Sequence, residues 1–395
     1  MFFRRRGYVK CLAALAALSF MAWLYFEASQ LKLAHLKTLL RRQNGLMFNT
    51  SRPSRGGDME YLSGRLREIL SRDNGAPKIV FNRSCTNNSD ACVKNCSRPL
   101  HWNPDVRLRE IIESPNLTLS RHQLDTILSM ADAIPESDVI FLSASSSNHY
   151  DEMQAMFHRL HTVVWPLVKD FTVVFFDIGL TPEQRMMTEK HCRCRVITFP
   201  KEMFPVHVAD MYCYSWKPLI ARAVIEKARK LLVYMDASIR WSARIPELLN
   251  RTMEVGLQLF RPSYMARIPL HTVNETFQYF RDSPCAYDAF PEMPGGLFIY
   301  RKDLFNIRAI LEPWARCALE AACMCPVKPM SYIWCHDPPV DHRCHRFDQS
   351  AIGIITAKLF GSDIYRVLPP DMDSFVSIQR GHQMPHYFNA TESIT

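Results

Sequence analysis

The chain has 395 residues, 48% hydrophobic and 22% charged, with a formal net charge of +9. That length allows one large domain or two ordinary ones, and 11% aromatic residues exclude disorder over most of it. The charge is uneven: residues 1–50 hold eight Lys/Arg and one Asp/Glu, the other 345 hold 40 basic and 38 acidic groups. A body so nearly neutral excludes a nucleic-acid footprint.

Arg4, Arg5, Arg6 and Lys10 precede an uncharged run over residues 11–26. Its 16 residues would rise about 24 Å as α-helix, a little short of a hydrocarbon core of roughly 30 Å. Lys10 can snorkel, and Tyr8, Trp23 and Tyr25 suit the interfaces. The pattern predicts a transmembrane signal anchor, with residues 1–10 cytosolic and the rest lumenal by the positive-inside rule. A cleaved signal peptide is the rival, but Glu27-Ala28-Ser29-Gln30 offers no small-x-small site. A short span suits early secretory membranes, so a single-pass type II protein of the Golgi membrane is expected.

Of 13 cysteines, Cys11 falls in the span and an even number lies beyond it. No double C-x-x-C of finger spacing occurs, so disulfides are expected rather than zinc, their connectivity open. Sequons stand at Asn49, Asn82, Asn87, Asn95, Asn116, Asn250, Asn274 and Asn389. Their density before residue 120 suits an exposed, glycosylated stem over 27–135. Leu31, Leu33, Leu36, Leu39 and Leu40 keep helical spacing, as a self-association segment for a homodimer or as a solvated spacer. Residues 71–135, broken by Pro, Asn and Ser, read as a disulfide-tied stem or as an extension packed on the body.

The body, 136–395, alternates apolar strands with helical patterns. Strands are expected at 139–144, 171–177, 194–199 and 231–236. Helices are expected at 150–168, after a cap at Thr181-Pro182, at 217–230 and at 349–359. Continuously apolar strands between helices predict an α/β fold with a mostly parallel sheet covered on both faces. Ligands of such sheets sit at the carboxyl ends of strands, where Ser143, Asp177 and Asp236 are expected. Asp236 ends the most hydrophobic strand, where a carboxylate costs desolvation energy unless something charged meets it. A hard cation, Mg²⁺ or Mn²⁺, bridging to a diphosphate would satisfy it, as would a helix cap or an ion pair with Arg240 or Arg244.

The run Tyr234-Met235-Asp236-Ala237-Ser238 resembles the DxD strand of nucleotide-sugar glycosyltransferases of the GT-A fold. Residues 214–220 (Tyr-Ser-Trp-Lys-Pro-Leu-Ile), 177–184 (Asp-Ile-Gly-Leu-Thr-Pro-Glu-Gln) and His345-Arg346-Phe347-Asp348-Gln349 are similar to motifs of a group of animal type II membrane proteins assigned to that class. The resemblance, over roughly residues 138–382, implies a GT-A-like lumenal domain that transfers sugar from a nucleotide-sugar donor, a UDP-sugar in the first instance, to a glycan or glycoprotein acceptor. It implies Asp236 and His382 as ligands of Mn²⁺ or Mg²⁺, and Lys217 facing the donor diphosphate. Gly295 and Gly296 would line the sugar site, with Ser143, Asp177 and Ser238 among the donor-binding positions. Asp348 and Gln349 would sit beside the anomeric carbon, Asp348 being the one strong C-terminal candidate for a base.

The departure from the family pattern is Ser238, a hydroxyl where DxD has its second acid. The chain then tolerates a weakly held metal, works without one, or is an inactive glycan-binding or scaffold relative. From the residues alone, Lys217 also reads as a surface helix residue, Asp348 as a helix cap, Gly295-Gly296 as a turn and His382 as an exposed tail residue. A glycoside hydrolase would need two facing carboxylates, and no partner for Asp348 stands out.

Overall fold

The structure is a computed structural model that describes residues 55–72, 75–79, 96, 99–260, 266–335, 340–369 and 371–390. The expected anchor at 11–26, Cys85, Cys92 and the sequons at Asn49, Asn82, Asn87 and Asn95 lie outside them. Among the described residues no helix is long and apolar enough to cross a membrane. Residues 60–395 cluster as one compact unit.

Helices α1 (Pro104–Ile112) and α2 (Arg121–Ser129) precede the sheet. Buried Arg107 of α1 donates to the Lys358 carbonyl at 2.6 Å, and Leu108 and Ile111 are fully covered. Cys96 is bridged to Cys285. The segment from 104 to 135 is therefore packed on the body.

The central sheet has six strands: β1 (Ser137–Ser145), β2 (Phe171–Asp177), β3 (Arg195–Thr198), β4 (Ala228–Met235), β6 (Leu257–Leu259) and β7 (Leu297–Arg301). Their order is β3-β2-β1-β4-β7-β6. The pairs around β1 and β2 are parallel, and β7 runs antiparallel to both its neighbours. A separate ribbon joins β5 (Ile239–Trp241) to β8 (Val376–Ile378).

Helix α3 (Tyr150–Arg159) buries Met153, Met156 and Phe157 against Phe141, Phe175 and Val233 on one face of the sheet. Helix α4 (Pro182–His191) starts at the expected cap, a capping box in which Thr181 and Gln184 satisfy each other's backbone N–H. On the opposite face lie α5 (Trp216–Val224), α6 (Glu312–Ala318) and α7 (Asp348–Phe360), with Trp314 edge-on to Phe298 at 5.3 Å.

The helix expected over 217–230 stops at Val224, because β4 begins at Ala228. Arg229 and Lys230 extend that strand, their charges paired with Asp138 and Asp170 at its exposed end. The chain winds from β1 outward through β2 to β3, then returns to place β4 on the other side of β1. Strand order thus reverses between β1 and β4, and in open α/β sheets ligands bind beyond the carboxyl ends of strands at such a reversal. Asp236 follows β4 at that edge.

Candidate functional site

Side chains two apart on a strand share a face, so Tyr234 and Asp236 both turn toward α5. Tyr234 donates its hydroxyl to Asp236 Oδ1 at 2.6 Å. Lys217, in the first turn of α5, points into the same space and is 3% exposed. Its ammonium donates to the Gly295 carbonyl at 3.0 Å and ion-pairs with Asp236 Oδ1 at 3.3 Å and Asp348 Oδ2 at 3.1 Å. The rings of Tyr234, Tyr214 and Trp216 surround it at 5.1–5.6 Å. Burial works against this charge, but the fields of Asp236 and Asp348 outweigh it and hold Lys217 above the ordinary lysine value. The Tyr234 phenol is held protonated far above its usual range, by burial first and Asp236 second.

The two carboxylates differ in setting. The Asp236 side chain is 37% exposed, whereas that of Asp348 is 6% exposed. Burial pushes the Asp348 carboxyl above its ordinary value, and Lys217 offsets part of that rise. Asp348 is the first residue of α7 rather than its cap, and its carbonyl accepts from the Trp314 indole at 3.0 Å. Phe347 before it is fully buried at φ 42°, and Tyr214 sits at φ 52°. Their rings lie 6.2 Å apart beside the lysine. Non-glycine residues held in this region cost roughly 1–3 kcal/mol each and gather at functional sites.

Gly295 and Gly296 are more than a turn. A Cβ on Gly295 would lie 2.2 Å from Asp348 Oδ2, and one on Gly296 would lie 2.8 Å from Asp236 Oδ2. The glycines let the backbone approach both carboxylates. Gln349 accepts from the Gly295 N–H at 3.4 Å, and its Nε2 is buried without a hydrogen-bond partner.

Other expected site residues stand apart from this group. Ser143 is fully buried, its hydroxyl 3.4 Å from the Met156 sulfur. The strand runs on to Ser145, so Ser143 is not at its end, and alternation turns it into the α3 core. Asp177 does end β2, but its carboxylate accepts from the N–H groups of Gly179 and Leu180 and pairs with Arg185 at 3.0 Å. It caps a turn. Lys217 does not face outward toward a diphosphate either, since its contacts are with the protein.

Asp236 pairs with neither Arg240 nor Arg244. Arg244 binds Glu247. Arg240, 4% exposed, donates to the carbonyls of Ala237 at 2.5 Å, Ile239 at 3.0 Å and His382 at 3.0 Å. His382 is exposed, and its Nδ1 accepts from Arg240 Nε at 3.3 Å.

These contacts decide whether the residues fit a protein-held Mn²⁺ or Mg²⁺, which takes several hard oxygen ligands. Among the described residues, no three His, Cys, Asp or Glu ligand atoms that include Asp236, Asp348 or His382 lie within 4.8 Å of one another. The grouping that meets this test is His271 with Cys335 and Cys344, whose sulfurs are joined to each other. Asp236 Oδ1 is already engaged by a phenol and an ammonium, Ser238 replaces the second acid, and a guanidinium holds one imidazole nitrogen of His382. The residues do not fit a resident divalent cation.

Disulfides join Cys192 to Cys194, Cys213 to Cys325, Cys317 to Cys323 and Cys335 to Cys344. Two of them brace the site: Cys213 precedes Tyr214, and Cys344 lies four residues before Asp348. Of the described sequons, Asn250, Asn274 and Asn389 are exposed, and Asn116 is half-buried with Nδ2 3.4 Å from the Tyr279 carbonyl.

A family model described as a protein of unknown function (DUF1647) matches residues 105–222. No curated protein matches the chain. Among solved structures, it is similar to the bifunctional glycosyltransferase WbbM in its apo form, with 12% identity, 47% of this chain and 35% of that chain covered, and a TM-score of 0.30. The chain thus spans about a third of WbbM. It is also similar to core-mannan synthase A from Aspergillus fumigatus in a Mn/GDP form (9% identity, 60% and 73% covered, TM-score 0.32). A third is the mannosyltransferase Ktr4p from S. cerevisiae (8% identity, 78% and 77% covered, TM-score 0.34).

Proposed function

We propose that this chain is a glycosyltransferase that moves a sugar from a nucleoside diphosphate donor, a UDP-sugar in the first instance, to a hydroxyl of a glycan or glycoprotein acceptor. In this reading residues 11–26 anchor it as a single-pass type II protein of the Golgi membrane, with the sheet domain lumenal. One observation carries the proposal: at the reversal of strand order, a part-exposed carboxylate and a deeply buried one share a single caged ammonium, with the backbone of two glycines drawn up against them.

The donor lies along the carboxyl edge of β1 and β4, its diphosphate over the turn from Asp236 to Ser238. The bond from the anomeric carbon to the diphosphate oxygen breaks, and its electron pair leaves with that oxygen. The acceptor oxygen forms the new bond to the same carbon, and its proton passes to the Asp348 carboxylate. Burial raises that carboxyl toward the range useful for a base, while Lys217 keeps its ionised form available. Charge developing at the anomeric carbon faces a preorganised carboxylate rather than water. Gln349 Nε2, a buried donor without a partner, is satisfied by a sugar oxygen.

Two carboxylates beside one another also invite a hydrolase reading. A glycosidase needs them on either side of the scissile bond. Here Lys217 contacts both, which places a cation where that bond would lie. The second reading is an inactive glycan-binding or scaffold protein, favoured by Ser238. The test is binding of UDP and GDP, with hydrolysis of a panel of nucleotide sugars. Transfer requires donor hydrolysis that falls about 10²-fold or more in Asp348→Asn with the fold retained. Absence of nucleotide binding, and identical behaviour of Asp236→Ala, would leave the inactive reading.

A further inference from the structure

The turn from Asp236 to Ser238 lies between two buried cations. Lys217 stands on one side, 3.3 Å from Asp236 Oδ1. Arg240 stands on the other, with Nη1 2.5 Å from the Ala237 carbonyl in the middle of the turn. Among the described residues Arg240 has no ion-pair partner: its donors go to carbonyls and to the His382 imidazole. A guanidinium 4% exposed without a carboxylate against it costs free energy that an approaching anion would recover. Glu152, close enough to influence it, is itself engaged by His149 at 3.1 Å and by the Gly381 N–H at 2.9 Å.

We infer that the fixed charge of Arg240 beneath the turn offsets the donor diphosphate, and that nucleotide binding needs no divalent metal. The inference rests on the transferase reading and states how that site manages its charge. Its side chain is immobilised by bonds to the protein, so the charge is in place before the ligand arrives and needs no reorganisation. A cation approaching the turn would meet a guanidinium field below it and find Asp236 Oδ1 occupied. Ser238 then follows: with the metal's role taken over, a second acid would only repel the diphosphate.

The experiment titrates the full-length chain with UDP, and in parallel with GDP, by calorimetry in EDTA and in Mn²⁺. Electron paramagnetic resonance follows free Mn²⁺ as protein is added without nucleotide. The expected result is a nucleotide Kd that changes less than about threefold between the two conditions, with the free-ion signal undiminished. In Ser238→Asp, the added carboxylate weakens binding in EDTA, and Mn²⁺ restores it by about tenfold or more, because a metal can then bind through two carboxylates and the phosphates. Binding that appears only with Mn²⁺ overturns the inference and leaves the transferase reading standing. No binding of either nucleotide in any condition overturns both. Should Ser238→Asp fail to fold, the wild-type arms decide alone.

Discussion

Gly295→Ala is the sharpest probe of the cluster. The added methyl would lie 2.2 Å from Asp348 Oδ2 and 3.1 Å from its Cγ. Ordinary contact needs about 3.4 Å or more, so something must move by roughly 1 Å. The carboxylate has little room, because its residue starts α7, is held by Trp314 and is 4% exposed. If it holds its place, overpacking costs about 1–3 kcal/mol and lowers Tm by a few degrees. If it shifts, it leaves the Lys217 ammonium, and a misplacement of that size costs about 10²-fold in rate. Gly296→Ala crowds Asp236 at 2.8 Å, but that side chain is 37% exposed and can swing outward. It should lose activity with a smaller fall in Tm. Gly64→Ala, in the helix Arg55–Ser71 with nothing within 4 Å of its Cβ, is the control and should be neutral or gain up to about 1 kcal/mol. Thermal unfolding and donor hydrolysis read out all three. A Gly295→Ala protein with wild-type Tm and turnover would refute the close approach.

Lys217→Met strands a buried carboxylate and should cost about 3–5 kcal/mol, chiefly through Asp348 because Asp236 reaches solvent. The double variant Lys217→Met/Asp348→Asn should recover much of that loss in urea unfolding. His345 is fully buried, and burial depresses it to about 3. The native state thus binds fewer protons than the unfolded chain between that value and an ordinary histidine's. Its stabilising contribution is complete above pH about 6.5 and drains away at up to about 1.4 kcal/mol per pH unit as pH falls toward 3. His345→Gln should flatten that limb of the stability curve. Cys213→Ser/Cys325→Ser opens a loop of sequence separation 112 and should cost about 2–5 kcal/mol in the same assay.

Asp236 was legible because a carboxylate closing an apolar strand is a local anomaly, visible within residues 231–236. The sheet was legible for the same reason, since buried parallel strands write continuous apolar runs. Ser143 is not at the strand end because β1 runs on to Ser145, and the alternation of the strand turns its side chain into the α3 core. Tyr234 and Tyr214 stand in the quoted motifs, but neither is assigned there to the site. The available signal for Tyr234 was its spacing of two from Asp236, which puts a phenol and a carboxylate on one face of a strand.

The partner of Asp236 was the harder matter. Arg240 and Arg244 are near it in sequence, and nearness suggested a pair. The tight turn instead sends Arg240 beneath the backbone, where carbonyls take its donors. The charge that meets Asp236 comes from Lys217, on another element, and the same charge meets Asp348 from 131 residues further on. Only the return of the chain between β3 and β4 lays α5 against the end of β4, and no local pattern encodes that. The positive φ of Phe347, which turns Asp348 inward, is equally silent in a one-letter code. Ser238 is the exception that joins both levels: as a letter it looked like a lost metal ligand, and in the proposed metal-free site it is the residue that spares the diphosphate a second acid.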